Sequence, residues 1–103
     1  VLKAFGDVPS PGMMSFPKPG ITLAMDFPIK PNVSFALFDR LAEMTNEFGG
    51  RLYPAKDARM TAPQFQTFYP QWERFSRFKD PALTSSFWER VVGDRLGVRG
   101  GVR

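Results

Sequence analysis

Apolar and polar positions alternate most clearly from residue 21 to 27. Ile21, Leu23, Met25 and Phe27 fall on one side of an extended segment, Thr22, Ala24 and Asp26 on the other. The first side is large and apolar, which predicts a core-facing surface. The second is small and polar and lacks the Lys, Glu or Arg of an ordinary solvent face, so a cavity-lining role and a plain exposed one both stay open. Pro28 and Pro31 end the strand. The period then lengthens. Val33, Leu37, Leu41, Met44 and Phe48 recur at helical spacing, with Asp39, Arg40, Glu43, Asn46 and Glu47 on the wet side. This predicts a helix from a Ser34 cap to about Phe48, stopped by Gly49 in the left-handed conformation, with the apolar stripe serving as core scaffold.

Around these two segments the pattern is more broken. Val1–Phe5 reads as a strand end halted by Gly6. Pro9, Pro11, Pro17, Pro19 and Gly12 make residues 7–20 a loop, with Met13, Met14 and Phe16 expected to pack beneath it. Arg51 to Lys56 resumes an extended path, giving strand–helix–strand order over 21–56, and Pro54 marks that last strand as an edge. Thr61-x-x-Gln64 is a capping-box pattern that opens a helix through Tyr69, with Pro63 tolerated in its first turn. After Pro70 a further helix carries Trp72, Phe75 and Phe78 and is broken at Asp80-Pro81. Ser85 or Ser86 then caps a short helix with Phe87, Trp88 and Val91. The glycine-containing end from Gly93 is expected to be a flexible tail.

Eight aromatic residues lie between Phe65 and Trp88. Interleaved with Arg74 and Arg77 they suit base stacking in principle, but their helical spacing favours a packing face. Three short helices are not expected to hide so many rings, so part of that face is expected to meet further protein.

Composition narrows the chemistry. The chain of 103 residues contains no cysteine and no histidine, which excludes disulfides, a thiol nucleophile, a Ser-His-Asp triad and the usual zinc sites from this segment. A flavin or haem tethered through such residues is excluded with them. The net charge of +4 is mild, and Arg95, Arg99 and Arg103 set against Asp94 place part of it in the tail. A nucleic-acid footprint is usually denser, so no nucleic-acid partner is expected. No apolar run reaches the length of a membrane span, and no segment resembles a signal peptide. The chain opens mid-pattern without an initiator methionine, and is expected to be a piece of a longer protein.

Four motifs stand in register: Ser15-Phe16-Pro17-x-Pro19-Gly20, Asp26-Phe27-Pro28-Ile29-Lys30, Glu47-Phe48-Gly49-Gly50-Arg51-Leu52-Tyr53-x-Ala55-Lys56-Asp57-x-Arg59, and Phe68-Tyr69-Pro70. Together they resemble the C-terminal part of FAD-linked oxidases of the vanillyl-alcohol-oxidase type, which include the aldonolactone oxidases. The resemblance runs over about residues 1 to 92. It implies an α+β fragment: antiparallel strands from a substrate domain, one amphipathic helix, then a helical segment that completes an FAD-binding domain. Residues 1–51 would end the substrate-binding domain, residues 52–92 would be the C-terminal segment of the FAD-binding domain, and 93–103 the flexible tail. The glycine-rich pyrophosphate loop of such oxidases is not in this chain, so FAD would be held mostly by a segment outside it, and the fragment alone is expected to be inactive.

Residue by residue, the resemblance implies that Lys56 is the lysine that reaches flavin and substrate and is needed for activity, with Tyr53 and Ala55 beside it on the flavin side. Lys3 and Phe5 match pocket-lining positions. Thr22 and Ala24 stand where the relatives carry asparagine and cysteine, a loss of an amide and a thiol that changes what the pocket can recognise. The implied reaction is oxidation of a secondary alcohol of a sugar, polyol or lipid-linked sugar by hydride transfer to flavin. A nearby ammonium stabilises the negative charge that develops on the ring, or orients the substrate hydroxyl. The implied partners are the remainder of the same polypeptide and a reductase. The implied location is the cytoplasm, at a membrane where the sugar is lipid-linked. An ordinary ion pair of Lys56 with Asp57 or Asp26 is the structural alternative, as is a structural role for Lys30. The alternative for the whole chain is a small non-catalytic α+β interaction module that docks a protein through its aromatic helical face.

Overall fold

The computed structural model describes residues 1–56 and 59–93, with the description of Lys56 limited to its backbone. The expectations for Asp57 and for residues 94–103 lie outside the described residues. Within them the chain is an α+β arrangement of a two-stranded antiparallel sheet and four α-helices.

Strand β1 (Leu2–Phe5) pairs with β2 (Gly20–Leu23), placing Leu2 opposite Leu23, Lys3 opposite Thr22, Ala4 opposite Ile21 and Phe5 opposite Gly20. The Ala24 N–H donates to the Val1 carbonyl at 2.9 Å and closes the ladder. The strand expected to reach Phe27 is shorter in the structure, where β2 ends at Leu23. The expected core face is also corrected. Ile21 is 77% exposed, and Leu23 and Met25 are open as well. A two-stranded ribbon has no second layer unless another element crosses it, and none of the described elements does.

Helix α1 (Ser34–Glu47) forms where the periodicity placed it, but it buries a different side. Of the predicted stripe, Val33 and Phe48 are exposed and Leu37 and Met44 partly so, while Leu41 lies on the covered side. The buried side runs through Ser34, Phe38, Leu41, Ala42 and Thr45. Phe38 meets Phe27 edge-on at 5.6 Å, and Ala42 is buried. Ser34 is not the cap. It is the first helical residue, and its buried hydroxyl accepts from the Lys30 N–H and donates to the Pro28 carbonyl, both at 2.7 Å. It thus folds the Pro28–Asn32 loop onto the helix start. The C-terminus follows expectation. Gly49 adopts φ +75°, its N–H donates to the Asn46 carbonyl, and the Gly50 N–H reaches back to Thr45. These are the two bonds of a Schellman motif.

The strand expected at 51–56 is absent. Leu52 packs against the helical core, and Pro54–Lys56 close a short 3₁₀ turn, which the fixed φ of proline favours. The expected strand–helix–strand order falls with it.

Helices α2 (Ala62–Phe68), α3 (Trp72–Phe78) and α4 (Ser86–Trp88) follow, and α4 continues as a π turn over Glu89–Gly93. The Thr61 hydroxyl accepts from the Gln64 N–H while the Gln64 side chain accepts from the Thr61 N–H, so both halves of the capping box are made. Ser85 caps α4 by accepting from the Trp88 N–H. Met60, Phe65, Phe68, Tyr69, Trp72, Trp88, Val91 and Val92 form one buried cluster, with Met14, Leu52, Phe75 and Phe87 against it. Phe65 sits at its centre, in contact with Tyr69, Phe87 and Trp88. The Gln66 amide donates to the Val91 carbonyl and Arg90 Nε to that of Met60, which fastens the π turn back over α2. The expectation that short helices could not hide these rings is corrected in the main. Most of them are hidden, and Phe78 is the large exposed exception. Gly93, expected to open a loose tail, is buried at the end of the π turn.

Candidate functional site

Residues paired across an antiparallel ladder share a face. Lys3 opposite Thr22, with Phe5 two residues along β1 and Ala24 two along β2, therefore puts all four predicted pocket residues on one side of the hairpin. Leu2, Ala4, Ile21 and Leu23 occupy the other. The four differ in openness: Phe5 and Thr22 are half-buried, Lys3 and Ala24 exposed. Opposite Phe5 stands Gly20, whose φ of +144° is one that L side chains rarely adopt.

Phe5 in turn leads to Phe16. Its ring meets Phe5 at 6.3 Å, nearly perpendicular, and Tyr53 at 5.3 Å, tilted. An aromatic run thus connects the Lys3–Thr22 face to Tyr53, which is about half exposed at 49%. Tyr53 leads directly into the 3₁₀ turn that carries exposed Ala55 and ends at Lys56. The direction of the Lys56 ammonium lies outside the described structure, so the Tyr53–Lys56 relation is fixed only as far as the backbone.

Several contacts hold these pieces. Arg51 Nη1 donates to the Ser15 carbonyl at 2.9 Å, and Lys18 Nζ donates to the Gly49 carbonyl at 2.7 Å. Both clamp the proline-rich loop onto the turn that follows α1. The Arg51 guanidinium also lies 5.2 Å from the centre of the Tyr69 ring. Tyr69 is 1% exposed, and its hydroxyl donates to the Leu52 carbonyl at 2.6 Å. Burial pushes the Tyr69 phenol up to about 12, against the opposing pull of the Arg51 charge. Downstream, Arg59 donates to both carboxylate oxygens of Asp39, at 3.1 and 2.9 Å, and lies 4.5 Å from the Phe35 ring centre. The hydrogen bond from Arg59 holds the Asp39 carboxyl below its ordinary value. The segment carrying Lys56 is therefore anchored on both flanks.

The hairpin face can present an ammonium and a hydroxyl to a polyhydroxylated ligand, beside the rings of Phe5 and Phe16. Phe16 and Arg51 were not among the residues the sequence marked as functional. Phe16 read as packing beneath its loop, and Arg51 as the start of a strand. The signal for both was their place inside two of the four motifs. Among the described residues no three His, Cys, Asp or Glu side chains are grouped as a metal would require. No described helix is long and apolar enough to cross a membrane.

No protein-family profile and no solved structure matches the chain. Curated proteins similar to the chain include the following two. The chain is 44% identical over 87 residues to the decaprenylphosphoryl-β-D-ribose oxidase of Mycolicibacterium smegmatis, an alignment covering 79% of this chain and 18% of that protein. It is 34% identical over 98 residues to an uncharacterised protein of the mprA 5′ region of Streptomyces coelicolor, covering 95% of this chain and 26% of the relative. The chain thus spans about a quarter or less of the length of these relatives. The resemblance carried by the four motifs is borne out: this chain is a sequence relative of a ribose oxidase.

Proposed function

We propose, with that relationship as premise, that this chain is a segment of an FAD-dependent oxidoreductase that oxidises a secondary alcohol of a sugar or polyol. The observation that supports it most is the sharing of one hairpin face by Lys3, Phe5, Thr22 and Ala24, joined through Phe16 to Tyr53 at the start of the Lys56 turn. Residues 1–51 would belong to the substrate-binding domain and residues 52–92 to the FAD-binding domain.

The residues present suit a flavin in part. A half-exposed tyrosine beside a lysine-terminated turn offers a ring edge and a cation, while the chain has no glycine-rich phosphate loop. Tyr53, Ala55 and Lys56 would therefore face the ring system, and the remainder of the polypeptide would hold the nucleotide. When bound, FAD supplies the acceptor for the two electrons leaving the alcohol carbon. The Lys3 ammonium and the Thr22 hydroxyl hydrogen-bond substrate hydroxyls, and the small Ala24 leaves room above the ladder. Phe5 shields the reacting carbon from water, which strengthens every charge interaction nearby. Lys56 orients the reacting hydroxyl and supplies a fixed positive charge.

Oxidation of a secondary alcohol yields a ketone, so a reductase acting on that ketone is the matching partner. We place the enzyme in the cytoplasm, at the membrane surface where the sugar is lipid-linked. The rival reading, a module that docks proteins through its aromatic helices, gains no support, because those rings are buried against one another.

The test is anaerobic reduction of the intact enzyme by sugar alcohols, followed as loss of flavin absorbance. Lys56→Ala should keep its fold and its FAD while reduction slows by about a hundredfold or more. Unchanged reduction kinetics would remove Lys56 from the reaction.

A further inference from the structure

We infer that Phe16 is a wall of the substrate pocket and a determinant of which sugar is bound, and that Arg51 is the residue that positions it. The inference rests on the reading of the hairpin face as a sugar site, and it adds a third element, the proline-rich loop, to that site.

Three observations carry it. First, Phe16 is half-buried and touches residues on both sides of the site, Phe5 at 6.3 Å and Tyr53 at 5.3 Å. A ring used only as filler for the main core would lie in the cluster around Phe65; Met14 of the same loop does so, and Phe16 does not. Second, Phe5, on which the Phe16 ring packs, is held in the ladder opposite Gly20, whose φ of +144° is one that L side chains rarely adopt, so the hairpin fixes the ring's neighbour in place. Third, the loop is held where a site residue must be held. Arg51 grips the Ser15 carbonyl adjacent to Phe16, Lys18 grips Gly49 on the other side, and the Arg51 guanidinium is braced over the Tyr69 ring. Arg51 Nε is buried and has no hydrogen-bond partner among the described residues.

The chemistry points to a sugar. An aromatic face carries partial negative charge, and the C–H groups on one side of a pyranose, furanose or alditol carry partial positive charge. Stacking on Phe16 fixes the flat side of the substrate, while Lys3 and Thr22 read its hydroxyls. Arg51 acts only through the loop and touches no substrate.

The test is calorimetric titration of the intact enzyme with D-ribose, xylitol and an octyl β-D-riboside, which reads binding apart from oxidation. Phe16→Leu keeps apolar volume without a ring, and should weaken the best of these ligands by about tenfold, the worth of one good aromatic contact. Phe16→Tyr should bind within about twofold of wild type, and both variants should melt close to the parent. Arg51→Lys should also weaken binding, and the Phe16→Leu/Arg51→Lys double variant should bind no more weakly than Phe16→Leu alone. A Phe16→Leu enzyme that binds like wild type overturns the wall, and so does failure of all three ligands to bind the parent. A double variant whose losses add overturns the positioning role. If the ligands bind and Phe16 matters while the flavin is never reduced, the oxidase reading falls and the pocket wall stands. If the flavin is reduced normally in Phe16→Leu with unchanged binding, only the present inference falls.

Discussion

The two halves of this chain use similar residues to opposite effect. From Met60 to Gly93, most aromatic and branched side chains turn inward, Phe78 and Leu83 excepted, and Phe65, Tyr69, Val91 and Val92 are all but sealed from solvent. From Val1 to Gly50, side chains of the same kind point outward: Leu2 and Ile21 on the sheet, Val33 and Phe48 along the helix. The contrast does not come from hydrophobicity. The later half supplies several short elements packed around one cluster, so most of their apolar faces find a neighbour. The earlier half supplies one ribbon and one helix, and each has more apolar surface than the other can cover. Exposed apolar surface of this kind marks a place where more protein belongs. That agrees with relatives several times longer than this chain.

The sharpest way to break the comparison is to open the sealed half. Phe65→Ala removes the ring at the centre of the cluster and should cost about 3–5 kcal/mol in chemical denaturation. A loss below about 1 kcal/mol would mean that the cluster is not what holds the chain together.

A smaller effect is expected at Tyr69, where the seal becomes visible as pH dependence. Its phenol ionises near 10 in an unfolded chain and is pushed up to about 12 in the fold. Between those values the native state holds the proton more tightly than the unfolded state, so stability falls as pH rises. The contribution is fully present below pH 10 and is lost toward pH 12. Tyr69→Phe cannot ionise and should flatten that alkaline decline, while costing about 1 kcal/mol at neutral pH for the lost bond to the Leu52 carbonyl. Denaturation curves at pH 8 and pH 11 for the two proteins decide it. An equal alkaline decline in both would assign the effect elsewhere.

What could be read from sequence follows the same division. The capping box at Thr61–Gln64, the Ser85 cap and the Gly49 stop are local chemistry, decided by residues a few positions apart, and all three are present in the fold. The burial of the β2 face and of the α1 stripe depends on which element lies above them, and a periodicity carries no information about that. Hence α1 was found while its buried side was misjudged, and Ser34 proved to be a loop brace rather than a cap. The 51–56 strand failed for a related reason: Leu52 is drawn into the helical core and Pro54 turns the chain. At the candidate site, the shared face of Lys3, Phe5, Thr22 and Ala24 was implicit in residue parity once the hairpin register was known. Phe16 was not, because its position depends on Arg51 reaching a carbonyl thirty-six residues earlier.

The smallest expected effect tests the open half. Ile21→Ser and Phe48→Ser each replace a large apolar side chain that is mostly in water already, at 77% and 84% exposure. In this chain each should change stability by no more than about 0.5 kcal/mol, since little apolar area leaves or enters solvent. Sedimentation should instead show less self-association, because the substituted groups are the ones that neighbouring molecules would cover. In an intact enzyme that seats further protein on these faces, the same substitutions should cost about 1.5–3 kcal/mol each, the worth of burying such a side chain. A multi-kilocalorie loss already present in the short chain would mean that the two faces are covered within it, and the contrast between the halves would disappear.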